Sequence, residues 1–326
     1  MLHNSLSVFL KTLLISVFSF YFLTYLSSIH ILNDLKKDKK TIVVNDIEIS
    51  FREYGNDNEK DIVFLHGFAG SSHDWTHIID NISDKYHCIA IDIPPFGLSE
   101  KAMNFDYSDL SIVKTIIDLL DSLGIERFTL VGHSMGGYLS ILMASMYPER
   151  IEKLVLFDAA YPIQLTSSES ISESGNANTK QSLGSNEGQF LLNDKVFSLY
   201  ELLLDVGLKT YPAFKIVYKN TLTEGELLDN DHFDYLFAQN YFLPSKVLIK
   251  FSKDKSMQRT LQIDLAKVNA ETLIIYGEKD NITPVKIGEF LSKNIKNSKF
   301  VIIPDEGHMP LSSSIAVRAL KEFLSR

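Results

Sequence analysis

The chain has 326 residues, 45% of them hydrophobic and 22% charged, with a formal net charge of −9. This length and composition imply a globular core, large enough for one big domain with an extra element or for two small domains. The acidic balance offers no basic face for a nucleic acid, and a single cysteine, Cys88, excludes an intramolecular disulfide and any Cys-based metal site.

The first element in chain order is unlike the rest. From Thr12 to Asn33 there is no Asp, Glu, Lys or Arg across 22 residues. As a helix this stretch would extend about 33 Å, close to the hydrocarbon thickness of a bilayer. It is longer than the apolar region of a signal peptide, and Ser27-Ser28 makes a poor cleavage site. The expectation is an uncleaved single-pass membrane anchor followed by a basic linker, residues 1–40. A secreted protein with a cleaved leader is the alternative. Lys36, Lys37, Lys39 and Lys40 follow the span, and the positive-inside rule then favours a cytoplasmic catalytic domain.

Next, Thr41–Val44 and Ile47–Phe51 flank Asn45-Asp46, the pattern of a hairpin. Strands are expected at Ile62–Leu65, Cys88–Ile91, Phe128–Val131, Leu154–Phe157, Thr272–Tyr276 and Lys299–Ile303. Cys88 falls inside one of these and reads as a buried, inert thiol. Asp109–Leu123 carries Leu110, Val113, Ile116, Ile117 and Leu120 at helical spacing and stops at Gly124. Met135–Met146 also reads as a helix, ending near Pro148. Apolar strands alternating with helices imply an α/β fold with a mainly parallel central sheet flanked by helices.

The rhythm breaks after Tyr161. Gln164–Gln189 is rich in Ser, Asn, Gly, Glu and Gln and reads as a long loop. Phe190–Leu208 turns helical, and Tyr211, Phe214, Tyr218, Phe233, Tyr235, Phe237, Tyr241 and Phe242 follow. Each aromatic alone suits helical core packing. Together they suggest a mostly helical cap over a pocket. The expected organisation is residues 41–160 as the first part of the core, 161–250 as the cap and 251–326 as the second part.

The chemistry centres on Gly132-His133-Ser134-Met135-Gly136, a G-x-S-x-G run between a strand and a helix. Such a turn forces the serine into a strained backbone and exposes its hydroxyl. An activated serine needs a base and a carboxylate that orients the base. His308, in a loop just past the last strand, is the best-placed base. Asp280, in the loop after Thr272–Tyr276, is the best-placed acid, because open α/β sheets build their sites at strand carboxyl ends. Asp158 is the rival acid. Asp305 and Glu306 lie too near His308 in sequence to orient it comfortably. His133 is read as a packing residue. The oxyanion donors expected are the backbone N–H of Met135, after the nucleophile, and that of Phe68, in the loop His66-Gly67-Phe68.

Leu65-His66-Gly67-Phe68, Asp92–Ser99, Gly132–Gly137, Tyr276–Asp280 and Gly307-His308 together resemble the α/β-hydrolase superfamily, from about Ile42 to Arg326. One departure is Pro95, which stands where the family usually has glycine. The resemblance implies the α/β-hydrolase fold, the order Ser134, Asp280, His308, and no metal or organic cofactor. Serine-bearing members are mostly esterases, lipases, thioesterases, amidases or C–C hydrolases, whereas epoxide and halide chemistry uses Asp at the elbow. The aromatic cap and the anchor favour lipophilic carboxylic esters such as monoglycerides as substrates, with the membrane as partner through the N-terminal helix, and this anchored, capped plan is similar to monoacylglycerol lipases. A C–C hydrolase of ring-cleavage products is the alternative, supported by the run Gly70–Trp75. A non-catalytic binding protein on the same fold is a further one. Acyl length and oligomeric state are not encoded in any motif.

Overall fold

In the computed structural model, residues 2–162, 209–221, 230–256 and 263–326 are described. The loop expected over 164–189 and the helix expected over 190–208 lie outside these residues. Among the described residues eight strands form one sheet: β1 (Lys40–Val44), β2 (Ile47–Tyr54), β3 (Asp61–Leu65), β4 (His87–Ile91), β5 (Phe128–His133), β6 (Ile151–Phe157), β7 (Glu271–Gly277) and β8 (Ser298–Ile303). Their spatial order is β1-β2-β4-β3-β5-β6-β7-β8. β1 with β2 and β2 with β4 are antiparallel, and every other pair is parallel. At the hairpin, Asn45 and Asp46 have φ of 52° and 61°. Two successive left-handed residues match the twist of the strands they join, and Asn and Asp tolerate that conformation better than other side chains.

The apolar runs bury both faces of the sheet, as alternation along a strand requires. Val63, Leu65, Ile89 and Ile91 join one core, with Ile112, Ile116 and Leu120 of α3 (Asp109–Ser122) and Leu139 and Leu142 of α4 (Met135–Met146). Ile62, Phe64, Cys88 and Ala90 face the other, where they meet Trp75, Ile78 of α2 (Thr76–Asp80) and Leu320 and Phe323 of the C-terminal helix Ser314–Leu324. Cys88 is buried, and burial pushes its thiol up to about 12, so it is a packing residue.

After β6 the described chain is helical: α5 (Tyr211–Thr221), α6 (Asn230–Tyr241) and α7 (Ser245–Ser256) precede β7. Phe214, Phe233, Leu236 and Phe237 pack together beneath Tyr211 and Tyr241 and form a small core separate from those of the sheet.

The N-terminal stretch is helical, α1 (Leu2–Leu35), and the structure does not support the expectation that it spans a membrane. Among the described residues no helix is long and apolar enough to cross a membrane. The stretch is uncharged but diluted with polar side chains, including Ser27, Ser28, His30 and Asn33 near its end. That end is also committed to the protein. α1 lies against α6, Ser28 and Leu35 are buried, and the Tyr25 ring sits 5.9 Å from that of Phe242. Arg52 Nη2 donates to the Leu35 carbonyl at 2.8 Å, which satisfies one of the acceptors a helix end leaves open.

Candidate active site

The site is assembled at the carboxyl ends of β3, β5, β6, β7 and β8. Ser134 ends the turn from β5 into α4 with φ 51° and ψ −116°. A non-glycine residue rarely adopts such a backbone, and it persists only where the surroundings hold it. Here the Ser134 N–H donates to the Phe157 carbonyl at 3.0 Å, and the Ser134 carbonyl accepts from Tyr138 and Ala160. Gly136 is required by contact: a Cβ there would lie 2.2 Å from the Leu65 carbonyl oxygen. α4 can therefore start directly against β3 only with glycine at this position.

His308 Nε2 lies 2.9 Å from Ser134 Oγ, and His308 Nδ1 lies 2.7 Å from Asp280 Oδ2. The three expected residues are thus brought together, and their exposures are only 8%, 5% and 8% for Ser134, Asp280 and His308. Burial alone would push the Asp280 carboxyl up. Its bonds to His308 and to Thr283 outweigh that and hold it below the usual carboxylate range. An ionised Asp280 in turn keeps the proton of His308 on Nδ1 and leaves Nε2 to accept from the serine.

The rival acids are engaged elsewhere. Asp158 Oδ1 accepts the Gly277 N–H at 2.9 Å. Asp305 pairs with Lys279 at 2.7 Å. The Lys279 N–H donates to the Glu306 carbonyl at 2.8 Å, joining the loop of the acid to the loop of the base.

The loop after β3 passes close over the nucleophile. A Cβ on Gly67 would sit 3.2 Å from Ser134 Cβ and 2.9 Å from His133 Nδ1. The loop is shaped by His66, whose Nε2 accepts the Ile93 N–H at 2.8 Å. Its Nδ1 must then carry the proton and donate to the Gly67 carbonyl, 2.7 Å away. Met135 is the first residue of α4, so its N–H has no acceptor inside that helix. Pro95 stands at the family's glycine position, and across this turn the Phe96 N–H donates to the Ile93 carbonyl at 2.8 Å. The left-handed residue is Gly97, φ 57°, where a Cβ would strike the Asp92 carboxyl group. Asp92 accepts the Ser72 and Leu98 N–H groups at 2.7 and 2.8 Å and fixes the loops on either side.

Two contributions escape sequence reasoning. His133 is not merely packed, since its Nε2 donates to the His308 carbonyl at 2.7 Å. Burial, with His308 beside it, lowers its imidazole to about 3, so it is neutral at ordinary pH. An aromatic cluster also adjoins the loop after β3. Phe68 is 55% exposed, with Phe96 and Phe251 of α7 at ring distances of 5.1 and 6.1 Å. No sequence motif foreshadows this cluster, because its three rings come from distant segments that meet only in the fold. Among the described residues no group of three or more His, Cys, Asp or Glu could hold a metal ion.

Residues 61–313 match the family described as alpha/beta hydrolase fold. This chain belongs to that family. Among its relatives, Uncharacterized hydrolase YugF of Bacillus subtilis is 28% identical over 83% of this chain and 91% of its own. Lipase 3 of a Moraxella species is 23% identical over 87% and 82%. The 2-hydroxy-6-oxononadienedioate/2-hydroxy-6-oxononatrienedioate hydrolase of Escherichia coli is 27% identical over 80% and 85%. The solved structure of a membrane phospholipase A superposes with a TM-score of 0.70 at 20% identity, covering 97% of each chain, which establishes likeness of fold.

Proposed function

We propose that this alpha/beta hydrolase is a serine hydrolase that cleaves carboxylic esters with a lipophilic acyl group, monoglycerides among them. The observation that carries the reading is the continuous chain of contacts from Asp280 Oδ2 through His308 to Ser134 Oγ, at 2.7 and 2.9 Å. Ser134 Oγ attacks the ester carbonyl while His308 Nε2 takes its proton. The carbonyl oxygen becomes an oxyanion and accepts from the N–H groups of Phe68 and Met135. His308 returns the proton to the departing alkoxide, and an acyl-enzyme remains. Water, deprotonated by His308, then attacks that acyl group and frees the acid and Ser134. Asp280 stays ionised throughout and stabilises the imidazolium formed in each half.

The lipophilic preference is supported by the aromatic cluster of Phe68, Phe96 and Phe251 and by the lipase among the relatives. The test is a series of p-nitrophenyl esters from short to long acyl chains, with Ser134→Ala as control. Turnover that rises with chain length and vanishes in the variant is expected, whereas no turnover at any length would overturn the reading. C–C hydrolysis of ring-cleavage products remains the second reading, on the strength of the Escherichia coli relative and the Gly70–Trp75 run. Turnover of a vinylogous diketone by a protein inert to esters would establish it instead.

A further inference from the structure

Thr283 lies outside every motif that marks the site, yet its hydroxyl touches both the acid and the base. Thr283 Oγ1 is 2.6 Å from Asp280 Oδ2 and 3.1 Å from His308 Nδ1. It is also 2.9 Å from the carbonyl oxygen of Asp158, at the end of β6. The Thr283 and Ile282 N–H groups reach the other carboxylate oxygen, Asp280 Oδ1, at 2.9 and 2.7 Å. The side chain is held in place, because Thr283 is buried at 5% exposure.

Proton bookkeeping decides what these contacts can be. A threonine hydroxyl has one proton and two lone pairs. The Asp158 carbonyl and the Asp280 carboxylate are both acceptors, so the single proton serves one of them at a time. The contact to Asp280 is the shorter, and its length is that of a charge-assisted O–H···O⁻ bond. The His308 Nδ1 proton points at Asp280 Oδ2, and the lone pairs of Thr283 lie within its reach. Thr283 can therefore donate to the acid and accept from the base at once. The result is a closed triangle of Asp280, Thr283 and His308. With the two backbone donors, the carboxylate has four donors around its two oxygens, about its full acceptor capacity.

We infer that Thr283 is a positioning residue of the reaction: its hydroxyl fixes Asp280 and His308 in one geometry, so that His308 Nε2 stays aimed at Ser134. The inference rests on the serine-hydrolase reading. It differs from a scaffold role in what its loss would disturb. A threonine that only tied the loop after β7 to the Asp158 carbonyl would matter for folding. One that aligns acid and base matters for proton transfer, which enters kcat and the rate of serine modification, and leaves substrate binding alone.

The experiment compares full-length wild type with Thr283→Val, which keeps the shape and removes the hydroxyl, and with Thr283→Ser, which keeps the hydroxyl. Thr283→Ala is a second deletion variant in case valine is not accommodated. Each is measured for thermal midpoint, for the rate at which a fluorophosphonate labels Ser134, and for kcat and KM on a p-nitrophenyl ester. The valine variant is expected to stay folded, with at most a modest drop in thermal midpoint, and to keep its KM within about twofold, while kcat and labelling rate of the folded protein fall about 10- to 100-fold, the scale of one lost hydrogen bond to a charged group. The serine variant should recover most of that loss. Unchanged kcat and labelling in a folded Val or Ala variant would overturn the inference. So would a lowered thermal midpoint with normal kcat in the folded fraction. Should Ser134 of the wild type fail to label at all, the serine-hydrolase reading falls, and the role of Thr283 with it.

Discussion

His133 and His308, 175 positions apart, are joined by a bond of 2.7 Å from the Nε2–H of the first to the backbone carbonyl of the second. The residue before the nucleophile thus holds the main chain of the base and ties the elbow to the last loop. Replacing His133 by Phe keeps a ring of similar size and removes the donor. The His308 carbonyl would then be left buried without that partner, which costs about 1–3 kcal/mol. The expected outcome is a lower urea midpoint together with a fall in kcat larger than any change in KM. Chemical denaturation and steady-state kinetics on the same preparation check both.

The backbone of Ser134, with φ 51°, separates stability from activity. Such a conformation costs a non-glycine residue roughly 1–3 kcal/mol, and glycine adopts it without that strain. Ser134→Gly is therefore expected to abolish ester turnover and to raise the thermal midpoint relative to Ser134→Ala. The opposite order of midpoints in calorimetry would show that the elbow is not strained.

Gly136 makes the complementary case. A methyl group there would meet the Leu65 carbonyl oxygen at 2.2 Å and the His66 carbonyl oxygen at 2.5 Å, and backbone cannot turn aside as a side chain can. Gly136→Ala should force α4 away from β3, at a cost of about 1–3 kcal/mol or more. A loss of soluble protein or a lowered melting point is expected, along with weaker labelling of Ser134.

These relationships show what was legible in the sequence. Each strand expected from its apolar run is present, and the ends differ by a few residues where polar positions such as Asp61 and His87 extend the ladder. Ser134, Asp280 and His308 were legible because each follows a strand in a short motif, and a parallel sheet brings strand ends together. Thr283 and the bond made by His133 were not, because their partners lie in other loops and no local pattern encodes them. The N-terminal helix was legible only in part for a related reason. Absence of charge marks a possible span, but the packing of Tyr25, Ser28 and Leu35 against the rest of the chain is a tertiary fact.

Asp74 carries a pH signature. It lies buried in the turn before α2, where burial pushes its carboxyl up to about 7, the bond from the Ser71 N–H opposes this, and Asp92 adds to it. The folded value lies above the ordinary value of 3.8. Well below pH 3.8 both states are protonated, and Asp74 carries no electrostatic penalty. As pH rises toward 7 the unfolded state loses its proton first, so stability falls until the folded group also ionises. Asp74→Asn removes this dependence and can keep an acceptor for Ser71. The variant should gain little at pH 4 and most at pH 8, up to a few kcal/mol. Urea melts at the two pH values measure the difference, and an equal effect at both would count against the buried-acid account.

Phe251 tests the link between the aromatic cluster and substrate choice. It projects from α7, is 3% exposed, and packs its ring 5.0 Å from that of Phe96 and 6.1 Å from that of Phe68. Two neighbours on the same helix anchor it to the core: Asp254 accepts the Tyr107 N–H at 3.0 Å, and Lys255 pairs with Asp109. The helix should therefore hold its place when Phe251 is cut back to alanine, leaving a cavity where the ring was. That cavity costs stability, about 3–5 kcal/mol for a fully buried phenylalanine. It also adds apolar space behind the Phe68 ring, which the proposed function assigns to the acyl chain, and each further buried CH2 of a substrate contributes about 0.8 kcal/mol. Phe251→Ala should thus shift kcat/KM toward longer or branched acyl chains by several-fold per added carbon until the space is filled. The chain-length profile of p-nitrophenyl esters, normalised to wild type, reads this directly. A profile lowered by the same factor at every length would mean that Phe251 supports the fold and has no part in choosing the acyl group.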